Sequence, residues 1–336
     1  MHQPSEPPPS SRSSFGLHDV FAGSEGLRAG WGLLLFVVVW MLLRMLLHPL
    51  IRSLAPGVQN PGQPMTPLYV IMAEASSLAC VSASTWLMAR IEGRRFRDYG
   101  LNDKQLGRQL AMGSAWGVML LSLLVLCLHL IGALTFDGWQ LSGWNAIGYA
   151  IAWLFGFLLV GLFEELLFRG YPQFTLCRGI SGICHQMGLR YATAVGFWTA
   201  ALVTSCLFGY VHRSNSGESS MGLISAGLIA LVFCVSIWRT GSLWWAIGFH
   251  AAWDWMESFF YGVGNSGTMI RGQLTASHPI GRATISGGTT GPEGSILVLP
   301  VVILGVFAVL FTLPRTRAVE AVSPSRDATH ENSALD

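Results

Sequence analysis

Three stretches of this chain set ionisable side chains into apolar sequence: Phe163-Glu164-Glu165-Leu166-Leu167-Phe168-Arg169, Phe208-Gly209-Tyr210-Val211-His212 and His250-Ala251-Ala252-Trp253-Asp254. Carboxylates and imidazoles are the groups of proton transfer and of metal ligation. Ionisable groups are expensive in lipid, so three such stretches in one apolar chain read as one functional site. Glu165/Arg169, Phe208/His212 and His250/Asp254 are each four residues apart and share a helix face, so the groups can meet in a bundle core.

Glu164 and Glu165 project about 100° apart on a helix. One can face the core while the other pairs with Arg169 one turn on, which makes Glu165 structural and leaves Glu164 free for chemistry. His212 ends the run Leu202 to Val211, where the plainer reading is a terminal side chain snorkelling beside Arg213. His250 lies inside Leu243 to Tyr261, with Asp254 one turn later and Glu257 on the same face; the plainer reading is a His–Asp bond that holds the bundle. Arg44, His48, Glu74 and His129 lack partners at helical spacing, and nothing in the sequence explains Glu74. Trp139, Trp144, Trp244 and Trp245 fall near the ends of apolar runs and fit an interfacial belt.

The elements that must position these groups follow from composition. Of 336 residues, 51% are hydrophobic and only 11% charged, against about a quarter charged in soluble proteins. The expected fold class is all-α, a polytopic membrane helix bundle. Apolar runs near 31–51, 67–89, 110–132, 146–168, 191–211, 221–238, 243–262 and 295–313 give about eight transmembrane helices. Arg90, Arg94, Arg95, Arg97, Lys104 and Arg108 crowd the second connection, whereas the next, around Asp137, has no basic residue. The positive-inside bias then puts Arg169, Arg178, Arg190, Arg239, Arg315 and Arg317 inside and both termini in the cytoplasm.

The domain organisation expected is a disordered segment 1–30, an integral membrane domain 31–313 and a disordered tail 314–336. A signal-like reading of Trp31 to Leu43, with cleavage near Ser53-Leu54-Ala55, is less favoured than an uncleaved first span. Gly264 to Gly294 reads as an irregular external loop without identifiable chemistry. The six cysteines form no C-x-x-C pair and read as packing residues, with Cys177, Cys184 and His185 a weak metal or disulfide signal. A net charge of +2, with no basic block, gives no sign of nucleic-acid binding.

The order E-E-x-x-x-R (Glu164, Glu165, Arg169), F-x-x-x-H (Phe208, His212) and H-x-x-x-N/D (His250, Asp254) resembles the CAAX prenyl endopeptidase and bacteriocin-processing (CPBP) family of intramembrane proteases. Phe168-Arg169-Gly170, Leu207-Phe208-Gly209 and Gly241 to Ile247 add to the likeness, which runs through a catalytic core of about 139–257. The resemblance implies an eight-helix endopeptidase cutting near the cytoplasmic membrane face without a serine or cysteine nucleophile. By match to the motifs, Glu164 would be the general base, His212 would hold the water, His250 with Asp254 would stabilise the oxyanion, and Arg169 would hold Glu165. Asp254 stands where the well-described eukaryotic members have Asn, so it could donate, orient His250, or join Glu164, His212 and His250 around a divalent metal such as zinc.

The function expected is hydrolysis of a peptide bond in a membrane-associated protein or peptide. The alternatives are a non-catalytic scaffold or immunity-type member of the same family and, more remotely, an ion-coupled transporter. The partners expected are a substrate with a membrane-associated tail and the lipid bilayer. With one Lys against nineteen Arg, the composition suggests a GC-rich bacterium and its cytoplasmic membrane. One geometric demand follows: Glu164 and His212 can meet only if the fourth helix runs on past Arg169 toward Arg178 despite Pro172.

Overall fold

In the computed structural model, residues 21–23, 26–54, 63–101 and 105–314 are described. Residues 1–20, the Ala55 of the signal-like site, Lys104, Arg315, Arg317 and the rest of the expected tail lie outside them. Helices α1 (Ala29–Leu54), α2 (Pro67–Ile91), α3 (Leu106–Leu130), α4 (Gly143–Arg169), α5 (Tyr171–Gln186), α6 (Ala192–Val211), α7 (Ser220–Thr240) and α8 (Trp244–Asp254) are followed by the one-turn α9 (Ala283–Ser286) and by α10 (Val298–Thr312).

Local sequence sets several of these boundaries. Thr66 caps α2 by accepting from the Tyr69 amide, and Pro67 follows where no amide hydrogen is needed. Ser219 caps α7 in the same way through Gly222, and Gly241, left-handed at φ 70, ends it. Between α4 and α5, Pro172 in a continuous helix would clash with the Phe168 carbonyl. Gly170 takes the break with ψ −122, where an added Cβ would stand 2.4 Å from the Leu166 carbonyl oxygen.

The chain is mostly helical, 74%, in line with the expected all-α class, with short strands besides. Two small antiparallel ladders occur, β1 (Ala22–Gly23) with β2 (Gly26–Leu27) and β3 (Leu134–Trp139) with β4 (Thr275–Pro279). The second joins the connection around Asp137 to the supposedly irregular loop, with Leu134 opposite Pro279 and Trp139 opposite Thr275.

Six helical stretches are long and apolar enough to cross a bilayer: Ala29–Ile51, Pro67–Ile91, Leu106–Leu130, Gly143–Gln186, Ala192–Ser214 and Ser220–Thr240. Leu42, Leu46, Leu126, Leu202 and Phe311 are among the large apolar side chains turned outward, as a hydrocarbon solvent requires. The apolar run 243–262 is helical from Trp244 to Phe260 but changes type. It divides into the 11-residue α8, about 16 Å long, and a π-helical segment, Trp255–Phe260. Every residue of α8 from Trp245 to Asp254 is buried, so its apolar character reflects packing against other helices rather than against lipid. Trp245, assigned above to an interfacial belt, is fully buried with Phe249 and Phe233 in the core.

Small residues allow this burial. A Cβ on Gly113 would lie 2.0 Å from the Trp245 carbonyl oxygen, and one on Gly248 would lie 2.2 Å from that of Leu110, so α3 and α8 touch backbone to backbone. Ser114 Oγ donates to the Gly248 carbonyl at 3.1 Å across the same seam. Gly113→Ala should therefore destabilise the protein by about 1–3 kcal/mol or more. Gly148→Ala, whose methyl meets nothing within 4 Å, should be neutral; thermal unfolding in detergent compares the two.

Candidate active site

The core of the site is a carboxylate with two partners. Glu165 Oε1 accepts from Arg169 Nη1 at 3.0 Å and from His250 Nδ1 at 3.0 Å. Glu165 is fully buried and Arg169 is 3% exposed. The pairing of Glu165 with Arg169 is present, but His250 is a second partner that helical spacing could not show, because it comes from α8, 85 residues away. His250 Nε2 stands 3.7 Å from both Glu164 Oε2 and Asp254 Oδ2, so the i,i+4 partner Asp254 is the longer contact.

Phe208 explains why the second motif holds an aromatic residue one turn before its histidine. The Arg169 guanidinium lies 4.2 Å from the Phe208 ring centre, and Phe208 meets the Phe168 ring edge-on at 5.2 Å. α6 is thereby fixed with Phe208 level with Phe168, and His212 one turn on comes level with Glu164. The condition on the fourth helix is met with a modification: helical structure does run on to Gln186, but as α5 after the break at Gly170. α5 leads away from the site and α6 returns along it, with Thr204 on Gln173. His212 Nδ1 donates to the Phe208 carbonyl at 2.7 Å, which leaves Nε2 for the site.

Glu164, His212, His250 and Asp254 line one cavity of about 240 Å³, with Phe208 and Phe233 among its walls. Glu165 and Arg169 stand behind it. The Glu164 side chain is 22% exposed, and its Oε2 has no hydrogen-bond partner among the described residues. Glu257, placed by helical spacing on the His250 face, is fully buried and is not among the lining residues, because the π-helical segment rotates it away.

Several lining residues were missed from sequence. Glu74 of α2 lines the cavity with Glu164. Asn215, Asn265, Ser266 and Glu293 line it too, so the segment Gly264 to Gly294 does bring chemistry to the site. Glu293 accepts from Trp253 Nε1 at 2.8 Å and from Ser266 Oγ at 2.9 Å, which ties this segment to α8. Nearby Glu218, outside the spanning helices, accepts from the Ser219 amide at 2.7 Å and from Thr290 Oγ1 at 3.1 Å. Burial pushes its carboxyl above the usual range. A lone intramembrane Glu74 was the one sequence signal available; polar residues in a polar loop give none.

Glu164, His212, His250 and Asp254 are nitrogen and oxygen donors of the kind a divalent metal takes. Among the described residues, no three His, Cys, Asp or Glu side chains are grouped as a metal site. Nδ1 of each histidine is committed to a protein acceptor, which leaves Nε2 for the cavity, as in metal-bound histidines. All six cysteines are free, with Cys177 and Cys184 buried as packing residues.

The Glu165–Arg169 pair predicts its own energetics. Arg169→Leu leaves a carboxylate buried with one partner and should cost about 3–5 kcal/mol. Adding Glu165→Gln removes that charge, and the double variant should unfold at a higher temperature in detergent than Arg169→Leu alone.

Residues 145–256 match the family model described as type II CAAX prenyl endopeptidase Rce1-like. That segment contains all three motifs and the helices that carry them. That family is one of proteases, and the six apolar helices suggest a membrane protein. No curated protein and no solved structure matches the chain.

Proposed function

We propose that this protein is an intramembrane endopeptidase that hydrolyses a peptide bond by water activated on Glu164 and His212. The observation that carries this reading is the meeting of Glu164, His212, His250 and Asp254 in one cavity, backed by the buried Glu165–Arg169 pair. Glu164 takes a proton from water while His212 Nε2 accepts the other hydrogen bond and orients it. The water oxygen attacks the carbonyl carbon, and the charge gathers on the carbonyl oxygen. With Nδ1 held by Glu165, an imidazolium at His250 presents Nε2–H to that oxygen. Collapse breaks the C–N bond, and Glu164 returns its proton to the leaving amine. The products are a carboxylate and an amine, and no protein nucleophile is consumed.

The substrate is read as a peptide with a membrane-associated tail. A second cavity, of about 490 Å³, adjoins the first at Met65 and Thr268 and is lined by glycines, serines and threonines together with Leu134, Val263 and Met269, with no ionisable side chain. Such a wall suits an extended peptide backbone. The bundle is read as eight passes, completed by α8 and α10, with both termini on the cytoplasmic side. Asn215, Asn265 and Glu293 then lie at the opposite helix ends from Arg190, Arg239 and the Arg90–Arg97 connection. With the basic ends inside, the cavity is entered from the outer face, the reverse of what the family resemblance implies.

Membranes from cells making the wild type or Glu164→Gln, compared for new peptide termini, test the reading. Cleavage should fall by about 10²–10⁴-fold in the variant, and on the metal-free mechanism proposed it should persist after treatment with EDTA. A biological effect that survives both Glu164→Gln and Glu164→Ala would instead establish the non-catalytic scaffold.

A further inference from the structure

An oxyanion needs N–H or O–H donors, and Asp254 as a carboxylate offers only acceptors. His250 alone would face the developing charge, with two carboxylates 3.7 Å from its Nε2. The cavity wall holds other N–H groups, but most are engaged. Asn215 Nδ2 donates to the Ser266 carbonyl at 2.7 Å, and Trp253 Nε1 donates to Glu293. Asn265 differs: it lines the same cavity as Asp254, no side-chain bond ties its amide to another group among the described residues, and an amide nitrogen carries two hydrogens.

The backbone around Asn265 is fixed to an unusual degree. Asn265 and Thr268 exchange backbone hydrogen bonds at 3.0 and 2.8 Å across a tight turn. Ser266 within it has φ 43, a left-handed conformation that a non-glycine residue adopts only when its surroundings enforce it. Those surroundings are named: Ser266 Oγ on Glu293, Asn215 on the Ser266 carbonyl, and the Gly267 amide on the Thr290 carbonyl at 3.1 Å. Three contacts from two separate segments, one at Asn215 and one at Thr290 to Glu293, thus hold the turn whose first residue faces Asp254. Backbone strain clamped beside a catalytic cavity is the usual mark of a preorganised group.

We propose that Asn265 is a catalytic residue, its amide donating one hydrogen to Asp254 and the other to the carbonyl oxygen of the scissile bond. Asp254 then positions the donor rather than supplying it. The inference rests on the endopeptidase reading, so the substrate for its test is a synthetic peptide spanning a cleavage that the wild type makes and Glu164→Gln does not.

On that peptide, Asn265→Ala and Asn265→Asp should lower kcat by about 10²–10³-fold, as loss of one oxyanion donor does, with KM changed less than about twofold. Inhibition by the corresponding peptide aldehyde, which binds as a tetrahedral adduct, should weaken by a similar factor; a merely structural role would not move this ratio to KM. The exchange Asp254→Asn with Asn265→Asp keeps one amide against one carboxylate and should recover kcat to within about tenfold, whereas either single change should not. An unchanged kcat in folded Asn265→Ala, a rise in KM alone, or an exchange no better than its parts would overturn the inference while leaving Glu164 in place. If the wild type makes no Glu164-dependent cleavage, the endopeptidase reading and this inference fall together.

Discussion

A carboxylate in the middle of a helix bundle, without water, must be compensated by its neighbours, and the arrangement around Glu165 follows from that requirement. Its single oxygen Oε1 serves both Arg169 on its own helix and His250 on α8. The guanidinium is covered by Phe208 of α6, with Phe168 and Phe233 nearby. One charge therefore binds α4 to α8 directly and to α6 through an aromatic face. Glu164, Phe208, His250 and Asp254 on the cavity wall are carried by the same three helices and His212 directly follows α6, so their relative positions are set by a cluster that itself stands behind the wall.

This cluster requires α8 to lie inside the protein. An 11-residue helix gains its place through the glycines of α3, which let two backbones meet where side chains would hold them apart. The interior position has two effects. It removes His250 and Asp254 from lipid, and it leaves the outward end of α8 needing cover, which β4 and the turn at Asn265 provide. Glu293 joins the cover to the helix through Trp253.

How much of this could be read from the chain depends on distance along it. Glu165–Arg169 was legible because both partners lie on one helix, four residues apart. His250–Glu165 was not, since hydropathy and spacing carry no information about which helices touch. Apolar character placed 243–262 correctly as a helical run but could not separate a lipid-facing span from a helix buried by protein, because both surroundings reward the same residues. Trp245 was misplaced for this reason. Gly264 to Gly294 looked empty because its chemistry is borrowed: Asn265 and Glu293 gain meaning only from Asp254 and Trp253, which stand on another element. Gly170 and Pro172 signalled the break after α4, yet the resulting register, Phe208 against Phe168, needed three-dimensional packing.

On the proposed reading, the division between Asp254 and Asn265 has a physical logic. A donor carried on α8 would be fixed by the helix, but it would leave Glu164 and Glu165 as the only carboxylates beside His250 among the described residues. A carboxylate at that position adds a third acceptor beside the imidazole, and it leaves the amide to be supplied from elsewhere. A loop can supply it with comparable precision only if its backbone is over-determined, and the turn at Asn265 is held by three contacts in a conformation that it would not otherwise keep. The strain at Ser266 and the buried charge at Glu165 then serve the same end by different means, each holding a polar group where bulk water cannot reorganise around it.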